Sequence, residues 1–387
     1  MRAKSVILLV AFLMLGSVFA VAQSRPVVVT VKNPIDLNRP SETVVLNAGE
    51  LRKLLSVDDV RKVHVRDAAG MDVLTQAVDN NDDGIFDDYI FQTDIGPNAS
   101  KTFTLVVGER QVPKKDDFKA YGRFVQERRE DFAWENDRIA HRMYGKELET
   151  WPQEPLTSSG VDVWTKRTSR LIVNEWYMTD DYHHDHGDGA DMYSVGKSRG
   201  CGGNGVYVDG KLYTSVNFIH SKTFANGPIR IMFELEYPSW NAGGVQVTEV
   251  KRITLDAGQN LDKFESRYKV QGDTAALLHA AGMKNNAGSV ESTKPDAGTL
   301  RTWEPIKADG SQLGCAVVVK PDQLVKFAED AGNYLAVTKF PRDGVVTYYA
   351  GFGWNKFGFS SVQDWDRYVA DWSQRINSPL QVTLSAK

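Results

Sequence analysis

Between Asp180 and Gly205 the chain reads DDYHHDHGDGADMYSVGKSRGCGGNG, which sets three of its seven histidines within four residues. Asp188, Asp191, Tyr193, Arg199 and a glycine-rich run follow. Histidine has the side-chain pKa nearest neutrality, so His183, His184 and His186 beside Asp185 and Asp191 offer proton transfer or metal coordination. Packing alone asks for no such mixture. Three readings stay open: acid–base or substrate contact, the beginning of a metal site, and a polar loop. In an extended segment His184 and His186 take one side and His183 with Asp185 the other, while Tyr193 shares the side of Asp191. Two histidines from one strand begin a transition-metal site, although this spacing matches no zinc signature. A tyrosine close to a cation such as Arg199 is expected to ionise more readily, since a nearby positive charge favours the phenolate.

A second group of chemistry-bearing residues is Asp131 to Gly145, DFAWENDRIAHRMYG. Read as two short strands joined across Glu-Asn-Asp, it puts Arg138, Ala140, Arg142 and Tyr144 on one face and His141 on the other. The planar fork of Arg142 suits bidentate capture of a carboxylate, with pairing to Glu135 as the alternative. A third group, Asp79, Asn81, Asp83 and Asp87 around Gly84, has oxygen ligands at alternate positions as a calcium loop does. It lacks the closing glutamate and flanking helices of an EF-hand, so an acidic turn rich in Asx bonds competes with structural Ca2+. No motif requires a cofactor; Ca2+ here or a divalent metal on the histidines are the candidates. Ser198 to Gly205 is no phosphate loop, because the closing Gly-Lys-Ser/Thr is missing, and its glycines are expected to allow sharp turning or close backbone approach to a ligand. Cys201 and Cys315 allow at most one disulfide.

The elements that must position these residues read mainly as β-structure. Ile229 to Tyr237 alternates apolar and mostly polar side chains, the pattern of a strand with one buried face. Asp209-Gly210 sits between two β-prone runs as a tight hairpin turn. Strands are also expected at 27–31, 63–65, 89–91, 102–107, 171–176, 245–255, 264–270, 316–320, 335–340, 345–350 and 381–384. Helix is scarce: Ala48 to Leu55, and Val362 to Ile376, where Trp365, Val369, Trp372 and Ile376 form an apolar stripe at helical period. Many strands with few helices predict an all-β fold, a large antiparallel sandwich with a C-terminal helix. The charged stretch 112–119 divides an N-terminal β-region, 23–111, from a main body, 120–387, unless 23–387 is one continuous domain.

The N-terminus carries Arg2 and Lys4, an apolar run from Val6 to Leu15, and Ala20-Val21-Ala22 before Gln23, the form of a signal peptide over 1–22. No cysteine follows that run, so a periplasmic or secreted protein is expected, with no membrane insertion. A net charge of -4 leaves no basic footprint for nucleic acid.

The segments DFAWENDRIAHRMYG and YHHDHGDGADMYSVGKSRGCGGNGVYVDGKLY, with the Asn33-Pro34 opening and the acidic turn from Gln76 to Asp88, resemble a family of secreted bacterial proteins defined only as a domain of unknown function. That family occurs in polysaccharide-utilisation systems and includes an oligosaccharide dehydratase acting on fragments of ulvan, an acidic algal polysaccharide. The resemblance implies a sandwich similar to those of sugar mutarotases and polysaccharide lyases. It also implies abstraction of the C5 proton of a uronate, followed by loss of the C4 substituent. Departure of hydroxyl makes a dehydratase, departure of a sugar a lyase, and return of the proton an epimerase. By this likeness His183 and His186 are base and acid, Asp185 orients an imidazole, and Tyr193 is an alternative base or acid. Arg142 and Arg199 hold the carboxylate, Trp134 stacks on a ring, and Asn136 and Asp191 contact the sugar. A protein that binds acidic oligosaccharides without changing them, and a purely structural protein, are the competing classes.

Overall fold

Alternation of buried and exposed positions builds the largest sheet. From Val245 to Asp256 every second side chain, Val247 through Leu255, turns inward. Neighbouring strands repeat the pattern, giving eight strands in the order 220–226, 230–242, 245–256, 261–271, 345–354, 312–318, 299–305 and 290–294. A five-stranded sheet, 211–213, 201–208, 278–284, 333–339 and 324–330, packs across it. The two inner faces share a core that includes Val206, Leu235, Phe264, Met283 and Tyr348. This computed structural model describes residues 27–330, 332–341 and 344–386. The expected signal peptide lies outside the described residues. The fold is the expected all-β one, built from antiparallel sheets with three α-helices among the described residues.

The Asp-Gly hairpin forms as read: Asp209 and Gly210 adopt φ of 51° and 77° between the strands Cys201–Val208 and Lys211–Tyr213. Helix α1, Ala48–Leu55, is capped by Asn47, whose Oδ1 accepts from Glu50 N at 2.8 Å. Helix α3, Val362–Asn377, lays Trp365, Val369 and Trp372 on Leu261, Ala316 and Val318 of the large sheet.

Residues 27–107 make a separate small sandwich of a five- and a three-stranded sheet. Its outermost strand is the chain's own C-terminus: Val27 to Lys32 pairs antiparallel with Ala386 to Gln381. Residues 381–386 thus pair with the N-terminal sandwich across the boundary expected at 112–119.

One expected strand is a helix. Leu171 to Trp176 runs into α2, Val173–Thr179, because Glu135 Oε1 accepts the Val173 N–H at 2.7 Å and so satisfies an otherwise orphaned helix donor. That partner comes from 38 residues earlier in the chain, where no local pattern reveals it.

Candidate functional site

A further antiparallel sheet, 120–125, 131–136, 140–144, 162–166 and 189–190, carries the site. Residues 131–136, 140–144 and 162–166 are buried throughout, because both of its faces are covered. Phe132 and Trp134 pack on Phe233 of the large sheet. On the opposite face Trp164 is covered by Trp176 and Tyr177 of α2 and by Tyr182. The edge pairing is close: a Cβ on Gly189 would lie 1.9 Å from Thr165 O, and its φ of 107° is left-handed, so only glycine fits where the histidine loop rejoins the sheet.

Strand register sets Arg142 opposite Asp162 and Tyr144 opposite Asp131. Arg142 Nε donates to Asp162 Oδ2 at 2.9 Å and Nη2 to Asp191 Oδ2 at 3.0 Å, while Nη1 lies 3.5 Å from Asp131 Oδ2. The hydroxyls of Tyr144 and Tyr177 donate to Asp162 and Asp131 at 2.9 and 3.0 Å. The guanidinium also lies over the rings of Tyr144, Tyr182 and Trp164. Three carboxylates thus share one buried cation. Burial pushes Asp131 up to about 6, against the pull of Arg142 and Arg128. Burial, then the charge of Asp162, raises Asp191 well above the usual carboxylate range.

His183 stands at its mouth. Its side chain is half exposed, its ring packs on Tyr182 with centroids 4.7 Å apart, and Nδ1 lies 3.1 Å from the backbone oxygen of Asp191. A carbonyl oxygen only accepts, so Nδ1 carries a proton, and in the neutral ring Nε2 is then the nitrogen with the lone pair. Tyr182 also links the mouth to Arg128, whose Nε donates to the phenol oxygen and whose Nη2 pairs with half-exposed Glu154. The Arg128 guanidinium rests on Trp151, 4.6 Å from the ring centroid.

The loop is turned rather than extended, which changes the expected sides. His184 and His186 both lean on Asp181, the latter at 2.9 Å, and these two bonds hold the Asp181 carboxyl below its usual value. With Trp176 and Asp188 they line a cavity of about 180 Å3. Asp185 orients no imidazole: it accepts from Gly187 N and Gly189 N at 2.8 and 3.1 Å and pairs with Arg167 at 2.7 Å, closing the loop.

Several expected contacts are sealed away. Trp134 is fully buried and donates to Asp262 at 2.7 Å, so neither ring face meets solvent. Asn136 donates to the carbonyls of Asp256 and Gln259 at 2.6 and 2.8 Å and accepts from the N–H groups of Arg138 and Ile139, which fixes a turn and leaves nothing for a sugar. Tyr193 points into the core beside Cys315, and burial drives its phenol well above the usual range, opposite to the expected ionisation. Arg142 has no free edge for a ligand carboxylate, and its partners are the three aspartates rather than Glu135, which pairs with Lys166 at 2.6 Å. Arg199 lies between the two large sheets, bonded to Ser159 Oγ at 3.0 Å, and burial lowers its pKa to about 10. The glycines at 202, 203 and 205 belong to a fully buried strand, and Gly200, at φ 60°, would put a Cβ 2.0 Å from Val161 O. The close approach is to backbone at Gly200, Gly203 and Gly205 and to the Ala350 side chain at Gly202.

Cys201 and Cys315 are free thiols that meet in the core. The calcium-like loop is closed by Asx bonds: Asp79 accepts from the N–H groups of Asn81, Asp82 and Gly84, and Asp87 from that of Asn80. Among the described residues no group of three or more His, Cys, Asp or Glu side chains is arranged to hold a metal.

A second polar cluster, in the sandwich core, escaped sequence reasoning. Asn204 Nδ2 lies 2.9 Å from Glu249 Oε1 and 2.7 Å from the Tyr268 hydroxyl, and His279 bonds Thr338 at 3.0 Å. Lys251 Nζ, 3.9 Å from Glu249 and 4.7 Å from the Tyr237 ring, has no hydrogen-bond partner. Burial lowers Lys251 to about 8 and His279 to about 3. Its signal was available: Glu249 and Lys251 share the parity of Val247, Ile253 and Leu255, so the alternation places two charges on a buried face.

A family model described as Domain of unknown function (DUF4861) matches residues 31–382. The protein called Uncharacterized protein P7, from Formosa agariphila, is 35% identical over 400 residues, covering 98% of this chain and 100% of that protein. Two solved structures from Enterococcus faecalis, an alpha-mannosidase and a protein in glycosyl hydrolase family 38, align with TM-scores of 0.54 and 0.53 at 9% and 11% identity. They cover 94% and 93% of this chain, which spans about half the length of either, 46% and 47%. At such identity the likeness is one of fold.

Proposed function

The chain belongs to the DUF4861 family, and from that premise we propose that it is a carbohydrate-active enzyme that dehydrates uronate-ended oligosaccharides. The observation that carries this reading is His183, whose side chain is half exposed and whose Nδ1 is held by the Asp191 carbonyl. That is the posture of a general base. The fold shared with sugar-processing enzymes and the histidine-rich segment support the same direction.

In this reading the substrate carboxylate replaces Glu154 on Arg128, which neutralises it and makes the neighbouring C5 proton removable. His183 Nε2 takes that proton, the C4–O bond breaks as the C4=C5 bond forms, and the imidazolium returns the proton to the departing hydroxyl, releasing water. Asp191, anchored by Arg142, positions the imidazole. Departure of a sugar instead of hydroxyl is the lyase variant of the same chemistry.

The test is mass spectrometry with ultraviolet absorbance on the chain from Gln23 given a panel of uronate-ended oligosaccharides. Loss of one water with absorbance of a conjugated unsaturated uronate is expected. Unchanged mass and absorbance across the panel would overturn the dehydratase reading, and shortening of the oligosaccharide would replace it with a lyase.

A further inference from the structure

A cleft of about 410 Å3 lies where the N-terminal sandwich, the outer face of the large sheet and α3 meet, remote in sequence from the histidine loop. Its volume falls within the roughly 300–1,000 Å3 of small-molecule sites, which favour such unit boundaries. Four cations, Arg39, Arg230, Lys263 and Arg375, line it against two carboxylates, Glu42 and Asp256. Arg230 is spent on Asp256 in a bidentate pair at 2.6 and 2.8 Å, and Lys263 pairs with Glu265 beyond the lining at 2.8 Å. Arg39 and Arg375 are different, because they share the single carboxylate of Glu42, and each otherwise donates only to a neutral oxygen, Arg39 Nη1 to Ser378 O at 2.8 Å and Arg375 Nη2 to Gln259 Oε1 at 3.0 Å.

Unsatisfied donors accompany that excess. Arg39 Nε has no hydrogen-bond partner although Arg39 is 2% exposed, and neither has the indole N–H of Trp372, which is 8% exposed. Buried donors without acceptors are costly, so a site holding them gains from a ligand that brings oxygen. Arg375 lies over Trp372, 4.5 Å from the ring centroid, and Tyr349 meets the same ring edge-on. A paired arginine fork beside aromatic walls is the chemistry that recognises an oxyanion carried on a sugar ring.

We propose that this cleft is a second binding site, for a small acidic sugar whose carboxylate engages Arg39 and Arg375 while its ring packs toward Trp372 and Tyr349. The sugar part rests on the function proposed above; the oxyanion part rests on this cleft alone. The site holds substrate or product fragments apart from the reacting centre.

Isothermal titration with sodium glucuronate, sodium sulfate and glucose separates the terms, using the chain from Gln23, Arg375→Gln, Arg375→Lys and His183→Ala. Glucuronate is expected to bind, glucose not to, and both Arg375 variants to weaken glucuronate at least tenfold, the lysine because it cannot present a fork. His183→Ala is expected to bind as the wild type does. Equal binding by folded Arg375 variants, loss of binding in His183→Ala, or no heat from glucuronate would overturn the proposal, and sulfate binding without glucuronate would overturn the carboxylate assignment. Because none of these readouts involves turnover, failure of the dehydratase reading leaves them interpretable.

Discussion

Arg142 and Lys251 are both cations buried in β-sheets, yet the chain surrounds them in opposite ways. Arg142 is met by three carboxylates and two tyrosine hydroxyls that anchor them. Lys251 has one carboxylate at 3.9 Å, no hydrogen bond, and Arg199 as a second cation nearby. One centre carries excess negative charge and raised carboxyl pKa values; the other carries excess positive charge and depressed basic ones. The difference that matters for chemistry is access. The Arg142 cluster reaches solvent through Asp191 to His183 and through Tyr182 to Arg128 and Glu154. The Lys251 cluster is sealed between two sheets.

The largest expected contrast is in stability. Arg142→Met strands three buried carboxylates and is expected to cost about 3–5 kcal/mol, read from the urea midpoint. If it unfolds no more readily than the wild type, the cluster is not held by that cation. A second effect concerns pH. Asp131 has a folded pKa of about 6, above its unfolded value of about 4. The folded state therefore binds its proton more tightly, so this contribution is complete below about pH 4 and is lost as pH rises through about 6. Asp131→Asn is expected to flatten the stability profile in that window, and an unchanged slope would assign the proton elsewhere.

Lys251→Met is expected to leave stability unchanged or raise it by about 1 kcal/mol, since the ammonium gives up no hydrogen bond. With a folded pKa near 8, below the unfolded value of about 10.4, Lys251 makes stability rise with pH between the two, and the methionine variant should lack that rise. A cost as large as that of Arg142→Met would erase the contrast between the centres. The smallest effect belongs to His186→Ala, which removes one exposed pair with Asp181 and should leave the thermal melt unchanged.

Local patterns made much of the fold legible. The alternation at Ile229 to Tyr237, the Asp209-Gly210 turn and the apolar stripe of α3 each follow from a period or a turn preference that acts within a few residues. The helix at Val173 escaped because its first donor is satisfied by Glu135. For the site, the histidine segment and the Arg142 segment were visible as unusual mixtures, and the structure brings Arg142, Asp191 and His183 together. Their meeting depends on register across strands, which sets Asp162 beside Arg142 from 20 residues away. Trp134, Asn136 and Tyr193 misled because residue type names a capacity, whereas burial decides whether a ligand can reach it.

The most direct test is turnover of a uronate-ended oligosaccharide bearing protium or deuterium at C5, by the wild type and by His183→Ala. The account predicts slower wild-type turnover with deuterium and a loss of about 10²-fold or more in the variant, with folding unchanged. Wild-type turnover by His183→Ala, or a wild-type rate indifferent to deuterium with no exchange at C5, would contradict a histidine base acting at that carbon.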